Sequence, residues 1–479
     1  MATRVLEEGQ APRIAHHGLR TKFAGEQSSI ILYCGCWEPA TAGAFVTAND
    51  LFSSTFVARP FWRDDVDLSV GDPSGRLPAS ADVVIIGGGY TGLSAATVLA
   101  AAGRSTAIIE ARSFGSGCSG LNGGQVSTSI KPSVAALSRR FGDERAAAIH
   151  HEGIEALRSL EEIIARHGLN CDWQPVGRFV GAHSPRHFDQ LAKRSAIQYE
   201  RLGIPSQPIE RKDQHREIGS DAYHGGLVYP QHAAVHPAKL LRELYRLARE
   251  AGADYFENCP AISVQRAGGL LQVQTPQGTI VARNVIIATN GYTGPFSPWH
   301  RRRIIPIGSQ IVATEPLAPE LMQRLLPTGR VITDTRRVIV YYRPSPDRTR
   351  ILFGGRATLS DSPPGTFAPK LVHWLRGIFP ELAAVRISHA WSGTVAFTFD
   401  ELPHFGQSDG VHYCMGYCGS GVSLSTYFGW KIGLQVLGRH EGRSPLDGVA
   451  FPTRPFYTGY PWFLTPSILT YRLLDALRI

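Results

Sequence analysis

Residues Val83–Gly103 read VVIIGGGYTGLSAATVLAAAG, and their interpretation decides the fold. Four apolar residues, Val83 to Ile86, have the composition of a buried strand. Three glycines follow, then a stretch of alanine, leucine and small polar residues that predicts a helix over Gly92–Ala102. Gly87, Gly89 and Gly92 fit the spacing G-x-G-x-x-G. The first glycine permits a tight turn, the second lets a pyrophosphate approach the backbone, and the third lets helix and strand pack closely. The helix N-terminus then offers free N–H groups and a partial positive charge to phosphates. STAIIEA (Ser105–Ala111) returns as a second strand ending at Glu110. An acid roughly 20 residues beyond the turn accepts hydrogen bonds from a ribose. Strand, turn, helix and acid in register predict a βαβ unit for a dinucleotide, and leave FAD and NAD both open.

The chain of 479 residues has room for two or three domains at ~150 residues each. Apolar residues make up 43% and charged residues 19%, an ordinary balance for a globular protein with a sizeable core. The formal charge of +9 is scattered, and its densest run, HRRRIIPIG (His300–Gly308), is short. Nucleic-acid binding is therefore not expected. No apolar run approaches the ~18 residues of a membrane span. The seven cysteines are odd in number and show neither a CxxC nor zinc-ligand spacing. Reduced thiols, a cytoplasmic location and no metal site are the expectations. His150 and His151 read as surface residues.

Residues 1–45 lack periodicity and read as a poorly structured extension with little buried surface and no cofactor contact. Residues 46–80 read as a leader that packs on the dinucleotide domain. Apolar Ile149, Ile154, Leu157, Leu160, Ile163 and Ile164 predict a helix over Asp143–His167. Further helices are predicted at 184–202, 235–253, from about Ser423, and at Pro466–Leu477 with Thr465 as N-cap. Strands are predicted at 309–316, 331–343 and 350–356.

A second glycine cluster, SFGSGCSGLNGGQ (Ser113–Gln125), lies just beyond the ribose acid. An NAD dehydrogenase normally resumes with a helix there, whereas a flavin needs small residues and amides along its ribityl chain and ring. This favours FAD. The motifs IIGGGYTGLSAA, IIEARSFGSGCSGLNGGQ, VHPAKLL, NVIIATNGYTG, YYRPSPDRTRILFGGR, WSGTVAFTFDELPHFG and GYCGSGVSLS follow in order across Phe61–Gly442. In these the chain resembles the FAD-dependent glycine/D-amino-acid oxidase-like family, γ-glutamylputrescine oxidase-like branch.

The resemblance implies an α/β, two-domain flavoenzyme. A discontinuous Rossmann-like FAD domain would comprise 81–145, 225–300 and 390–479, and an antiparallel-sheet substrate domain 146–224 and 301–389. Around the fingerprint glycines and Glu110, the implied FAD contacts are Ala111, Arg112, Gly117, Cys118 and Ser119. Asn122, Gly123 and Gly124 match the motif along the flavin, and Val264 the residue whose backbone meets the adenine. Ala288, Thr289 and Gly291 match a turn near the pyrophosphate. Gly416, Gly419, Ser420, Gly421 and Val422 match the turn that starts the last long helix, whose N-terminus would face the flavin. Relatives often carry Arg where Leu121 stands and His where Ser420 stands. No linkage position is matched, so non-covalent FAD is expected.

The implied reaction is hydride transfer from an amine or amino acid to the flavin, with O2 or another acceptor taking the electrons. The alternative is a D-amino-acid or amine dehydrogenase feeding a quinone at a membrane. Arg343 is the expected carboxylate-binding residue, because a guanidinium fork suits a bidentate carboxylate. A structural pairing with Asp334 or Asp347 is the competing role. Tyr341 and Tyr342 alternate, so only one faces the flavin, and Tyr341 is the one expected at the site with Arg343 and Trp391. Trp391 is expected to wall the pocket or to pack in the core.

Overall fold

The computed structural model describes residues 51–69, 75–358 and 362–477. The extension expected at residues 1–45 lies outside these described residues. The predicted βαβ unit is present as strand Ser80–Ile86, helix Tyr90–Ala101 and strand Thr106–Ile109. The two strands pair in parallel, Val83 with Thr106 through Ile86 with Ile109. They are the centre of an eight-stranded sheet. Strands Gly278–Ile287 and Asp254–Phe256 flank them in parallel. Antiparallel strands Leu270–Thr275 and Ser263–Ala267 extend one edge. The central residues Val83, Val84 and Ile85 are fully buried, as the unbroken apolar run requires of a sheet covered on both faces.

Helix Tyr90–Ala101 packs on helix Gly421–Val436 at a distance that only a glycine allows. A Cβ at Gly429 would stand 2.4 Å from the Thr91 carbonyl oxygen. The Ser94 hydroxyl donates across the same contact to the Thr426 carbonyl at 2.7 Å. Helix Asp143–His167 has the predicted bounds. Its apolar face, with Ile149, Ala156, Leu157 and Leu160, joins the core that holds Leu93, Leu99 and Phe428. It thus packs with the dinucleotide-side helices, whereas the sequence had grouped it with the substrate portion. A buried Glu152–Lys431 ion pair at 3.1 Å joins it to helix Gly421–Val436.

The second large sheet has nine strands. Their order is 52–57, 387–397, 305–314, 351–355, 340–344, 331–334, 178–181, 226–229 and 207–209. It is antiparallel except at two contacts, 52–57 with 387–397 and 331–334 with 178–181. The expectation of an antiparallel sheet therefore holds for most, not all, of it. The leader divides its attachments. Phe52–Val57 is the edge strand of this sheet, while Phe61 and Trp62 enter the dinucleotide-side core. The sequence had placed it on the dinucleotide domain alone.

The C-terminal helix spans Leu464–Ala476, with Phe463 at the N-cap and no side-chain cap. Thr465 therefore lies inside the helix, and Pro466 sits where its missing N–H costs nothing. Leu464 and Ile468 pack against Ile305, Ile307 and Phe397. The Asp475 carboxylate accepts from Arg337 N–H at 2.8 Å and Val338 N–H at 2.9 Å. Among the described residues no helix is long and apolar enough to cross a membrane.

Candidate functional site

The two sheets contribute to one cavity of about 1040 Å³. Its first end is the glycine turn. Gly87 has φ +111°, and a Cβ there would lie 2.9 Å from the Ala288 carbonyl oxygen. A Cβ at Gly92 would lie 2.0 Å from the Gly87 carbonyl oxygen, so the helix can sit on the turn only without one. Gly89 is the N-cap, and it has no side chain to occupy the first-turn amides. Ser119 Oγ accepts from the Tyr90 N–H at 3.1 Å. Glu110 Oε2 accepts from the Gly88 N–H at 2.9 Å and Oε1 from the Arg112 N–H at 3.1 Å. The carboxylate is thereby fixed on the cavity wall beside Ala111 and Arg112.

The second glycine cluster is the floor. Cys118–Leu121 is a single helical turn, and Gly117, Cys118, Ser119, Leu121, Asn122 and Gly123 line the cavity. Asn122 closes this loop on itself. Its Oδ1 accepts from the Gly124 N–H at 2.8 Å, and its Nδ2 donates to the Cys118 and Ser119 carbonyls at 3.1 Å. Two tryptophans brace the loop from behind. Trp62 Nε1 donates to the Asn122 carbonyl and Trp391 Nε1 to the Leu121 carbonyl, each at 2.8 Å.

The far wall is the turn before helix Gly421–Val436. Gly416, Cys418 and Gly419 have φ of +86°, +52° and +94°. These left-handed residues aim the helix N-terminus inward, and Gly419, Ser420, Gly421 and Val422 line the cavity. Ala288 and Thr289 also line it. Gly92, Gly124, Gly291 and Gly416 do not, and serve as close-packing positions around it. Val264 is off the cavity as well. It pairs with Val273 in the edge hairpin, and Cys259, Pro260 and Ala261 occupy the wall expected of it.

Of the three residues singled out for chemistry, only Tyr341 faces the cavity. Its ring lies against Gly123, where a Cβ would come within 3.1 Å. Its hydroxyl is 2.9 Å from Ser309 Oγ, and burial raises its pKa to about 12. Tyr342 points the other way and meets the Tyr223 hydroxyl at 3.0 Å in a separate core. Arg343 does not line the cavity, and it pairs with neither Asp334 nor Asp347. Its guanidinium is 2% exposed and donates to the Gly124 carbonyl at 3.1 Å, the Val235 carbonyl at 2.8 Å and Gln174 Oε1 at 3.3 Å. Burial lowers its pKa to about 10. Four of its five N–H groups are taken by protein oxygens, the Nε bond to the Pro344 carbonyl at 3.1 Å included, and it stands off the cavity, so this structure does not present it to a substrate carboxylate. Trp391 is likewise a brace rather than a wall.

Sequence reasoning missed several lining residues. Lys131, Arg178, Arg356 and His150 all face the cavity. His150 is 4% exposed, not a surface residue, and burial lowers its pKa to about 4. Arg356 ends the ILFGGR motif, so adjacency to that strand could have marked it. Lys131 and Arg178 lie in no motif, and only the fold brings them to the site.

A flavin dinucleotide fits what is present: glycines where a side chain would intrude, a fixed ribose acid, and two helix N-termini. The family of FAD dependent oxidoreductases designated DAO matches residues 82–433. The chain is 34% identical to probable oxidoreductase OrdL of Rhizobium meliloti, over 79% of this chain and 89% of that one. It is 31% identical to gamma-glutamylputrescine oxidoreductase of Escherichia coli, over 76% and 85%. In fold it is similar to crystalline glycine oxidase from Geobacillus kaustophilus, with TM-score 0.67, 20% identity, and 79% and 99% coverage. The chain belongs to the DAO family of FAD-dependent oxidoreductases.

Two substitutions test the site. A Cβ at Gly89 would stand 2.7 Å from Ser119 Oγ, in front of the helix N-terminus. Gly89→Val is expected to give a folded, colourless chain, checked by circular dichroism and flavin absorbance. A yellow variant with full flavin content would contradict the assignment. Arg343→Met strands buried carbonyls, at a cost of about 1–3 kcal/mol each. Its expected effect is a lower melting temperature with loss of flavin. A stable variant with only a raised KM would instead place the guanidinium at the substrate.

Proposed function

We propose that this protein oxidises a C–N bond of an amine or amino acid and uses O2 as the acceptor. Amine, water and O2 then give a carbonyl compound, a released amine or ammonia, and H2O2. The observation that carries this reading is the continuity of the cavity. It runs from the dinucleotide cradle at Gly87–Glu110, over Gly123, to a pocket walled by Tyr341 and Gly419–Val422. FAD supplies the hydride acceptor when bound.

The residues present position and exclude rather than relay protons. Tyr341 keeps its proton at neutral pH, because burial raises its pKa to about 12. It therefore serves as a hydrogen-bond donor, with Ser309 fixing its hydroxyl. His150 stays neutral, with its pKa lowered to about 4 by burial. Arg356 interacts with Tyr341 and Cys418 and so brings positive charge to this end of the pocket, which favours a neutral, reactive amine there. The helix N-terminus at Gly419–Val422 offers amides to negative charge.

Non-covalent cofactor binding fits the cavity cysteines. Burial raises the pKa of Cys118 and of Cys418 to about 11. Each is a thiol at neutral pH, and the thiolate is the nucleophile. The five described cysteines are free, which supports a reducing, cytoplasmic compartment.

A quinone-linked dehydrogenase is the second reading, favoured by one feature. The C-terminal segment exposes large apolar side chains, with Phe456 94%, Tyr460 72%, Trp462 61% and Leu469 59% accessible. The experiment is an anaerobic screen of amines and amino acids for loss of flavin absorbance, followed by admission of air. Bleaching, with recovery in air and stoichiometric H2O2, is the expected result. Bleaching that only a quinone reverses favours the second reading, and no bleaching with any amine contradicts both.

A further inference from the structure

The exposed apolar side chains of this protein are not scattered. Among the described residues twelve large ones stand exposed, and seven of these fall within Phe456–Leu477. Single exposed apolar residues are ordinary, whereas a contiguous set marks a surface that meets something. Phe456, Tyr460 and Trp462 lead into helix Leu464–Ala476, and Leu469, Leu473 and Leu477 continue the set along it. Their spacing of four puts these leucines in one stripe. A different stripe, Leu464 and Ile468, packs against Ile305, Ile307 and Phe397. The helix is therefore apolar toward the protein and apolar away from it, whereas a helix that faces water is polar on its outer side.

The charge around this surface has one sign. Between Pro452 and Leu477 the sole acid is Asp475, which is buried and accepts from the Arg337 and Val338 amides. The densest cationic run of the sequence lies alongside. Thr453 Oγ1 donates to the Arg302 carbonyl and the Tyr457 hydroxyl to the Ile304 carbonyl, each at 2.6 Å. A Cβ at Gly459 would stand 2.5 Å from Arg301 Cγ. The Arg454 guanidinium is 5.3 Å from the centre of the Phe399 ring, which packs on Tyr457 and Phe463. Among the described residues no carboxylate pairs with Arg301, Arg302 or Arg454. The acids that follow Phe399 are engaged elsewhere, Asp400 with Arg140 and His404, and Glu401 with Lys131.

A bilayer interface accepts both halves of this surface. Tryptophan and tyrosine settle at headgroup level, leucines reach the acyl boundary, and arginines meet anionic headgroups. A second copy of the chain fits it poorly. A two-fold interface sets like patches face to face, which would bring the guanidinium groups of both copies together with no described acid to meet them.

We propose that Phe456–Leu477, with Arg301, Arg302 and Arg454, is a docking surface for an anionic bilayer. The aromatic and leucine side chains enter the headgroup boundary and the guanidinium groups rest on lipid phosphates. The surface is one layer from the cavity. Leu464 and Ile468 pack on Phe397, which lines it, and Arg472 donates to the carbonyl of Arg356, another lining residue, at 3.2 Å. Docking therefore holds the cavity beside the lipid surface. It depends neither on the substrate nor on the electron acceptor, so its test needs no turnover.

The test is sedimentation of the full-length, FAD-loaded protein with vesicles of phosphatidylcholine alone or mixed with phosphatidylglycerol. Binding to the mixed vesicles is expected to be at least about tenfold tighter than to phosphatidylcholine, and to weaken as salt is raised. Two variants separate the contributions. One carries Trp462→Ser, Leu469→Gln and Leu473→Gln, the other Arg302→Glu and Arg454→Glu. All five side chains are exposed, so flavin content and melting temperature are expected to match the natural protein. Each variant is expected to bind the mixed vesicles at least about tenfold more weakly. Failure of the natural protein to bind mixed vesicles overturns the proposal. Unchanged affinity in either variant also overturns it, because the scattered net charge or another surface then does the binding. A dimer, seen by light scattering, that the first variant converts to a monomer without loss of vesicle binding overturns it as well, since a second copy then covers the face.

Discussion

The contact between Gly92 and the Gly87 carbonyl is the constraint on which the rest depends. A Cβ at Gly92 would lie 2.0 Å from that oxygen, and one at Gly87 would lie 2.9 Å from the Ala288 carbonyl. Without those two side chains, strand, turn and helix collapse onto one another. The collapse fixes the direction of helix Tyr90–Ala101, and with it the direction of its free amides. Gly429 repeats the device one layer out, against Thr91. Helix Gly421–Val436 is thereby set so that its own N-terminus faces the same cavity. Two helix N-termini converge on one space because three glycines allow backbones to touch. A convergent pair of this kind is an anion-stabilising environment before any charged side chain is counted.

The second glycine loop is held differently, by large side chains donating to its carbonyls. Trp62, Trp391 and Arg343 bond the carbonyls of Asn122, Leu121 and Gly124. Each donor comes from a different part of the chain, and together they leave the loop's inner face free. Sequence alone could not separate this from substrate binding. A guanidinium that suits a carboxylate suits a pair of backbone carbonyls equally well. Strand alternation separates Tyr341 from Tyr342, and it is Tyr341 that lines the cavity. Tyr341 and Arg343 share a face, and both meet the loop, Tyr341 at Gly123 and Arg343 at Gly124. Alternation says nothing of how far a side chain reaches, and reach is what separates the two.

The elements with strong local periodicity were legible. The βαβ unit and helix Asp143–His167 were readable because one apolar pattern dictated each. Tertiary partnership was not. The leader strand belongs to the nine-stranded sheet, and the face of helix Asp143–His167 packs with the dinucleotide-side core. Neither is encoded within the segment itself. The cofactor end of the site was readable because it is built from contiguous glycine motifs. The cationic part of the cavity wall was not, since Lys131, Arg178 and Arg356 lie far apart in sequence and become neighbours only through the fold. Val264 shows the reverse error. The matched position lies in the edge strand Ser263–Ala267, partly buried against the neighbouring core, while Cys259 to Ala261 line the cavity.

The central claim is that these glycine-built turns hold one FAD without a covalent bond. The direct measurement is acid precipitation of the purified yellow protein, with flavin quantified in supernatant and pellet. The account predicts one equivalent of FAD per chain in the supernatant and a colourless pellet. Flavin retained in the pellet, or a purified protein with no flavin that takes up none when FAD is added, would contradict it.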